Sequence, residues 1–310
     1  MNVNNTVIVN TNENYNYEKM QRNIRELKTK YPFLEIENIG ESVQKRQIPC
    51  IRIGNGKNEV MYSASIRANE WITSLVLMKF IEDFCIAYTK NRDIFEHNPK
   101  EIFNNSSIYI IPMLNPDAIE LVTGNIKEGS KEYNHYKEIA NNFPNVTFPN
   151  GWKANYNGVD LNLQFPADWE KAREIKFAQG YTMPAPRDFV GFGPLTEPEA
   201  LAIYNFTLKH NFRLILAYHT QGEVIYWKYA NYMPADSEEI GRIFSKVSGY
   251  LLDTTPPESA NAGYKDWFIK QYNKPGYTIE AGLGTNPLPL TQFDKIYSDN
   301  MGILVLASII

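Results

Sequence analysis

The 310-residue sequence predicts an α/β fold, with a mixed, mainly parallel twisted sheet and helices on both faces. Short runs rich in β-branched and aromatic residues alternate with longer amphipathic or apolar segments, which is typical of strands joined by helical crossovers. The chain can bury a large core, since 43% of its residues are hydrophobic. No internal repeat divides it, so we predict a single domain over 1–310, with 1–16 as an N-terminal extension.

The first half of the chain predicts two helices and four strands. In the first segment Met20, Ile24 and Leu27 recur at helical spacing among charged residues. The second helical segment is apolar almost all round, as in a helix packed beneath a sheet. The last strand ends at the turn signal Asn115-Pro-Asp. The predicted elements are helices over 17–30 and 72–90, and strands over 34–40, 48–54, 59–66 and 106–114.

The second half begins with a long polar and aromatic stretch over 122–167, which suggests excursions across a functional face. A helix follows, for which Thr196 and Glu199 predict a capping box. The remaining predicted elements are strands over 212–220, 222–227 and 276–283, a helix over 237–252, and a closing helix from about Leu290.

Composition limits the partners and the location. The net charge of −4 and pI of about 5.7 leave no basic excess, so nucleic acid and anionic membranes are disfavoured as partners. Cys50 and Cys85 have no metal-binding or disulfide spacing, and we interpret both as buried free thiols. The sequence has neither an export signal nor a long apolar run. We therefore expect a cytoplasmic location, with release to the cell wall as the alternative; the oligomeric state stays open.

Polar residues gather where the predicted strands end: Glu70, Asn115, Asp117, His219 and Glu280. Ligands of open α/β sheets bind outside the carboxyl ends of the strands, so this pattern predicts a site there. Considered alone, His219 could equally be a hydrogen-bonded core histidine. The other histidines, His97, His135 and His210, fit solvated or helix-end positions better.

Several motifs resemble one known family. In order, they are "SIRANEW", "NPDAIELV", "GVDLNLQFPADW", "GPLTEPEA", "AYHTQGEVIYW" and "GYTIEAG". They are similar to motifs of the carboxypeptidase A family of zinc peptidases, and the resemblance runs from about residue 17 to the C-terminus. Within the family, the chain most resembles bacterial γ-D-glutamyl-diamino-acid endopeptidases, which cut cell-wall peptides. This resemblance implies a zinc-carboxypeptidase fold, one zinc ion and a peptide substrate, here a muropeptide.

The resemblance also implies roles for individual residues. Glu70 and His219 match two of the three zinc ligands of the family, whose His2Glu site leaves one position for water. Glu280 matches the catalytic carboxylate that takes a proton from that water and returns it to the leaving amine; a buried structural carboxylate is the alternative. Lys153 lies near the position of an arginine that stabilises the oxyanion, although it could also be a surface lysine.

Four further residues are predicted to contact the substrate: Asn69, Asn162, Tyr264 and Lys265. Asn162 matches an asparagine that holds the substrate carboxylate, but Leu163 follows where the exopeptidases have arginine. Without that guanidinium, trimming of ordinary C-termini is disfavoured. Lys265 and Asp266 could complement the charges of diaminopimelate, or form a plain surface ion pair. Tyr264 is only a nearby substitute for the mobile tyrosine of the exopeptidases.

Arg67 stands where the family has its first zinc-binding histidine. A guanidinium offers no lone pair, so Arg67 cannot replace that ligand, and the sequence predicts an impaired or empty zinc site. Asp160 matches the carboxylate that orients the missing histidine. We expect Asp160 and Glu70 to accept hydrogen bonds from the Arg67 guanidinium. Arg67 would then neutralise the carboxylates that zinc would otherwise neutralise. Two functions follow: an impaired zinc metallopeptidase for γ-D-glutamyl-diamino-acid bonds, or a non-catalytic protein that binds cell-wall peptides.

Overall fold

The structure is a computed structural model and describes residues 7–310. Its centre is one eight-stranded sheet with strand order β1-β2-β4-β3-β5-β8-β6-β7. The three inner pairings β4–β3, β3–β5 and β5–β8 and the edge pairing β6–β7 are parallel, and the other three pairings are antiparallel. The predicted mixed, mainly parallel sheet is confirmed. The strands are β1 (Glu35–Glu41), β2 (Gln47–Ile53), β3 (Asn58–Ala64), β4 (Ser106–Ile111), β5 (Leu214–His219), β6 (Val224–Tyr226), β7 (Leu251–Asp253) and β8 (Gly276–Glu280).

Helices cover both faces of this sheet. Alternate residues of a strand point to opposite faces, so each inner strand contributes to two cores. In β3, Val60 and Tyr62 belong to the larger core, whereas Met61 belongs to the second core on the other face. The helices are α1 (Tyr17–Lys30), α2 (Ile72–Lys90), α3 (Pro99–Asn105), α4 (Pro116–Val122), α5 (Lys131–Ala140), α6 (Trp169–Ala178), α7 (Pro198–Leu208), α8 (Ser237–Ser248), α9 (Tyr264–Tyr272) and α10 (Phe293–Leu306).

Two predicted helix boundaries were wrong. The cap of α7 is Glu197 rather than Thr196, because the Thr196 hydroxyl donates to Gln164 Oε1 at 3.1 Å instead of capping the helix. The predicted helix over 237–252 ends at Ser248, since Gly249 takes a left-handed conformation and the chain continues into β7. The excursion predicted over 122–167 contains the helix α5.

The N-terminal segment is partly within the described residues. Residues 7–16 pack on the body of the protein: Val9 and Tyr15 are buried, and the Ile8 amide donates to Glu82 Oε1 at 2.6 Å. Residues 1–6 of the predicted extension lie outside the described residues. Both cysteines are buried free thiols, as predicted. Between residues 7 and 310, no helix is long and apolar enough to cross a membrane.

Candidate active site

The site lies at the carboxyl ends of three adjacent parallel strands. The 3-10 turn Ala68–Glu70 follows β3, His219 is the last residue of β5, and Glu280 is the last residue of β8. His219 and Glu280 are aligned across the β5–β8 pair, so sheet register alone brings them side by side. This edge is where an open α/β sheet binds its ligands.

Glu70 is fully buried at the centre of the site. Its Oε2 lies 2.8 Å from His219 Nδ1, and its Oε1 accepts from Lys153 Nζ at 3.3 Å. Burial alone would raise the pKa of Glu70. The positive charges of Lys153 and Arg67, together with the hydrogen bond from His219, outweigh burial and lower this pKa to about 2. Glu70 is therefore an anion whose two oxygens are already bonded.

Arg67 is paired with the buried Asp160. Arg67 Nε donates to the two carboxylate oxygens of Asp160 at 3.2 and 3.3 Å. The Arg67 side chain is 18% exposed, whereas that of Asp160 is fully buried. Burial lowers the pKa of Arg67, but the charges of Asp160 and Glu70 outweigh it and raise the pKa above its ordinary value. Arg67 is thus a fixed cation. The predicted pair with Asp160 is present in the structure, but the predicted bond from Arg67 to Glu70 is not found within residues 7–310, because the Glu70 oxygens are bonded to His219 and Lys153.

The loop that carries Lys153 is held against the turn after β3. The backbone amides of Ala68 and Asn69 donate to the carbonyls of Lys153 and Trp152, each at 3.1 Å. Asn115, in the turn after β4, donates from Nδ2 to the Ala154 carbonyl at 3.0 Å. Asn115 therefore acts on the site indirectly, by positioning the loop.

Glu280 is partly exposed at the edge of the cleft. Burial raises the pKa of Glu280; the positive charge of His219 opposes this rise, and the negative charge of Glu70 adds to it. A carboxyl group whose pKa is raised and that lies beside a cleft is a candidate general acid or base.

The cleft over these residues has a volume of about 1210 Å³. Asn69 is among its lining residues, and Asn69 Oδ1 is buried without a hydrogen-bond donor within residues 7–310. Of the predicted site residues, six line the cleft and two, Glu70 and His219, lie buried beneath it. The six are Arg67, Asn69, Lys153, Asn162, Lys265 and Glu280.

Tyr264 and Asp117 are placed elsewhere. The Tyr264 ring packs against Phe165 in the second core, and its hydroxyl lies 2.9 Å from Thr207 Oγ1, so the predicted substrate contact of this side chain is wrong. The aromatic ring gains more from burial than from the polar cleft. Asp117 accepts from the Ser42 hydroxyl at 2.7 Å and from Arg46 at 2.7 Å, which makes it a structural anchor for the β1–β2 turn.

Three residues that line the cleft were not predicted from the sequence. Arg187, Asp188 and Lys176 line the cleft together. Asp188 Oδ2 accepts from Arg187 Nε at 2.6 Å, and Asp188 Oδ1 pairs with Lys176 Nζ at 2.7 Å. Arg187 and Asp188 lie in an irregular loop, where neither strand ends nor helical periodicity marks a functional position.

These residues do not supply a three-ligand zinc site. Of the three positions matched to the family's zinc ligands, two, Glu70 and His219, carry metal-binding side chains, and Glu70 Oε2 and His219 Nδ1 are hydrogen-bonded to each other at 2.8 Å. Arg67, which the motifs predict at the third ligand position, is bonded to Asp160 through its guanidinium, and Lys153 Nζ donates to the other Glu70 oxygen. Within residues 7–310 no group of three histidine, cysteine or acidic side chains is arranged to hold a metal ion.

Comparisons with known proteins agree with the fold. Residues 20–302 match the zinc carboxypeptidase family. The chain is 45% identical over 300 residues to a γ-D-glutamyl-L-diamino acid endopeptidase of Lysinibacillus sphaericus, covering 96% of this chain and 73% of that protein. Carboxypeptidase A from Helicoverpa armigera superposes with a TM-score of 0.73 at 19% identity, covering 99% of this chain and 76% of the other.

A second solved structure, the murein-tripeptide amidase of Escherichia coli O157, has a TM-score of 0.55 at 16% identity, with 87% of this chain and 91% of that chain covered. These structural similarities concern the fold, whereas the family match covers most of the sequence. The predicted enzyme class, a metallopeptidase of the carboxypeptidase type acting on peptides, is confirmed at the level of the family, for which zinc is the metal. The chain belongs to the zinc carboxypeptidase family.

Proposed function

We propose that this protein binds γ-D-glutamyl-diamino-acid peptides of peptidoglycan in its cleft, and that Arg67 impairs their hydrolysis. The substrate is supported by one observation above all. The endopeptidase of L. sphaericus, whose name gives this bond, is 45% identical over 96% of the chain. Retention of Glu70, His219 and Glu280 at one strand edge is consistent with descent from such a peptidase.

The cleft favours an internal peptide over a free C-terminus. Asn162 lines the cleft beside Leu163, which offers no charge to a terminal carboxylate. A fork of guanidinium nitrogens is the usual partner for that group. Lys265 and Asp266, whose Nζ and Oδ1 atoms lie 2.6 Å apart, provide one charge of each sign at the position proposed for the diamino acid.

The Arg67–Asp160 pair supports the proposal that hydrolysis is impaired. A guanidinium has no lone pair for a metal, and its charge opposes binding of a cation. Zinc affinity should therefore be far below that of a site with three ligands. The chain keeps Glu280 as a proton acceptor and Lys153 as a cation at the cleft, but lacks one of the donors that would fix the metal between them.

A non-catalytic, peptide-binding protein is the second candidate. It is favoured by the pairing of both buried carboxylates with cations, Asp160 with Arg67 and Glu70 with Lys153. Buried carboxylates need such partners, and here protein side chains provide the charge that a metal would otherwise contribute. In this form the cleft would be stable without zinc.

The substitution Arg67→His separates the two candidates. We expect elemental analysis to find less than stoichiometric zinc in the natural chain and about one ion per chain in the variant. Hydrolysis of a γ-D-Glu-diaminopimelate peptide should rise in parallel. If zinc binds to the variant but hydrolysis does not appear, the non-catalytic candidate is favoured. One tightly bound zinc and full hydrolysis in the natural chain would contradict impairment.

A further inference from the structure

The cleft contains a cationic cluster that the proposed chemistry does not use. It consists of Arg187, Asp188 and Lys176, all of which line the cleft. The two oxygens of Asp188 are each bonded to one cation, at 2.6 Å from Arg187 Nε and 2.7 Å from Lys176 Nζ. Two cations share one carboxylate, so the cluster carries one positive charge in excess.

The excess charge is concentrated on the terminal nitrogens of Arg187. Arg187 uses only Nε in its bond to Asp188, and its Nη groups have no hydrogen-bond acceptor among residues 7–310. The Arg187 side chain is 39% exposed, whereas that of Asp188 is 11% exposed. Arg187 is therefore anchored on its inner edge and presents its outer edge to the cleft. A guanidinium held in this way is suited to bidentate binding of a carboxylate.

The backbone around Arg187 is fixed to the centre of the site. The Pro186 carbonyl accepts from the amides of Lys153 and Ala154, at 2.7 and 2.9 Å. On the other side, the Asp188 amide donates to Asp160 Oδ2 at 3.4 Å. The loop is thus attached both to the residue that bonds Glu70 and to the partner of Arg67. A group bound by Arg187 would therefore lie in the same cleft as Lys153 and Glu280.

We propose that Arg187 forms a carboxylate subsite of the cleft and binds a carboxylate of the peptide. This inference rests on the proposed function for the identity of the peptide. A γ-linked glutamyl residue keeps its α-carboxylate free, separated from the scissile carbonyl only by the side-chain carbons. An α-linked peptide has an anion at that distance only where the residue before the scissile bond has an acidic side chain. Diaminopimelate carries a second candidate, the carboxylate of its side chain.

Binding measurements on the full chain test this subsite without requiring hydrolysis. The ligand is L-Ala-γ-D-Glu-diaminopimelate, titrated by calorimetry, with chromatography to check that the peptide stays intact. Two amidated peptides identify the source, one blocked at the glutamyl α-carboxylate and one at the side-chain carboxylate of diaminopimelate. The proteins are the natural chain, Arg187→Gln, Arg187→Lys, and the control Arg92→Gln at an exposed position outside the cleft.

We expect Arg187→Gln to bind the tripeptide at least about tenfold more weakly, equivalent to about 1.4 kcal/mol. Arg187→Lys should be intermediate, because it keeps the charge but loses the fork, and Arg92→Gln should bind as the natural chain does. One of the two amidated peptides should bind weakly to the natural chain. The affinity for this peptide should not fall further in Arg187→Gln. If Arg187→Gln does not fold, binding of the tripeptide to Arg187→Lys and of the amidated peptides to the natural chain tests the carboxylate subsite.

Two different failures can be told apart. Tight binding of all three peptides to the natural chain and to Arg187→Gln would overturn the carboxylate subsite and leave the proposed substrate standing. No binding of any of the peptides to the natural chain would overturn the proposed function, and the subsite with it.

Discussion

Arg67 Nε lies 3.2 Å from Asp160 Oδ1 and 3.3 Å from Asp160 Oδ2. The pair links the turn after β3 to the long loop before α6, and the carboxylate also accepts the amide of Asn162 at 3.2 Å. A protein cation is therefore fixed at the position that the motifs predict for a metal ligand of the family. The predictions about metal, stability and catalysis depend on this pair.

Zinc should not stabilise the natural chain. A ligand that binds only the folded state raises the free energy of unfolding by RT ln(1 + [L]/Kd), about 2.7 kcal/mol at a hundredfold excess over Kd. Thermal unfolding of the natural chain should therefore be the same with micromolar zinc and with a chelator, while zinc should raise the midpoint for Arg67→His. An equal zinc-dependent rise in both proteins would contradict the prediction.

Removal of the Arg67 side chain should destabilise the fold. Arg67→Ala leaves Asp160 buried and unpaired, and loss of one partner of a buried pair costs about 3 kcal/mol. Urea unfolding measures this change. In the Asp160→Asn background the same substitution should cost about 1 kcal/mol or less, because the amide carries no charge and can still accept the Asn162 amide. Equal costs in the two backgrounds would show that the effect is not electrostatic.

The fold and the centre of the site could be predicted because strand ends converge by topology. Glu70, His219 and Glu280 each follow an apolar run, and parallel strands place such ends at one edge of the sheet. The Arg67–Asp160 pair followed from the family motifs and from the chemistry of a guanidinium. None of these predictions needed the conformation of the long loops.

The rest of the site depends on loops and on competition for burial. Arg187 reaches the cleft because its loop is bonded to Lys153 and Asp160, contacts that no local pattern encodes. Tyr264 is near the predicted region in sequence, but its ring is in the second core and its backbone amide donates to Asn162 Oδ1 at 3.2 Å. Proximity in sequence identified the segment correctly, whereas side-chain direction depends on tertiary packing.

Lys153 should matter for turnover more than for metal binding. It is a cation at the cleft, 3.3 Å from Glu70 Oε1, and we predict that it stabilises the oxyanion, because it lies near the position of the family's oxyanion-stabilising arginine. Loss of one such donor typically lowers kcat by at least about a hundredfold. In the Arg67→His background, Lys153→Ala should therefore reduce kcat for the γ-D-Glu-diaminopimelate peptide by that factor, while zinc content stays near one ion per chain. A loss of zinc instead would assign Lys153 to the metal site.

A buried carboxyl group outside the cleft predicts a fall in stability with pH. Glu199, in the first turn of α7, is fully buried, and burial raises its pKa from 4.5 to about 8. Its Oε2 accepts from Asn155 Nδ2 at 3.2 Å, and Asn155 lies in the loop between Lys153 and Asp160. Between these two pKa values the folded state keeps a proton that the unfolded state has released. Glu199 should then contribute a decrease in the free energy of unfolding as pH rises from about 4.5 to 8, by up to about 1.4 kcal/mol per unit.

Substitution of Glu199 by glutamine should remove this pH dependence, because the amide does not titrate. The measurement is the free energy of urea unfolding at several pH values between about 4.5 and 8. The slope of this free energy against pH is compared between the natural chain and the variant. The absolute stability is not compared, because the amide also alters the hydrogen bond with Asn155. Glu174→Gln is the matched control, at an exposed position on α6. An unchanged slope in Glu199→Gln would mean that Glu199 is ionised in the folded protein. The loop from Lys153 to Asp160 would then pack against a buried carboxylate anion rather than a neutral carboxylic acid.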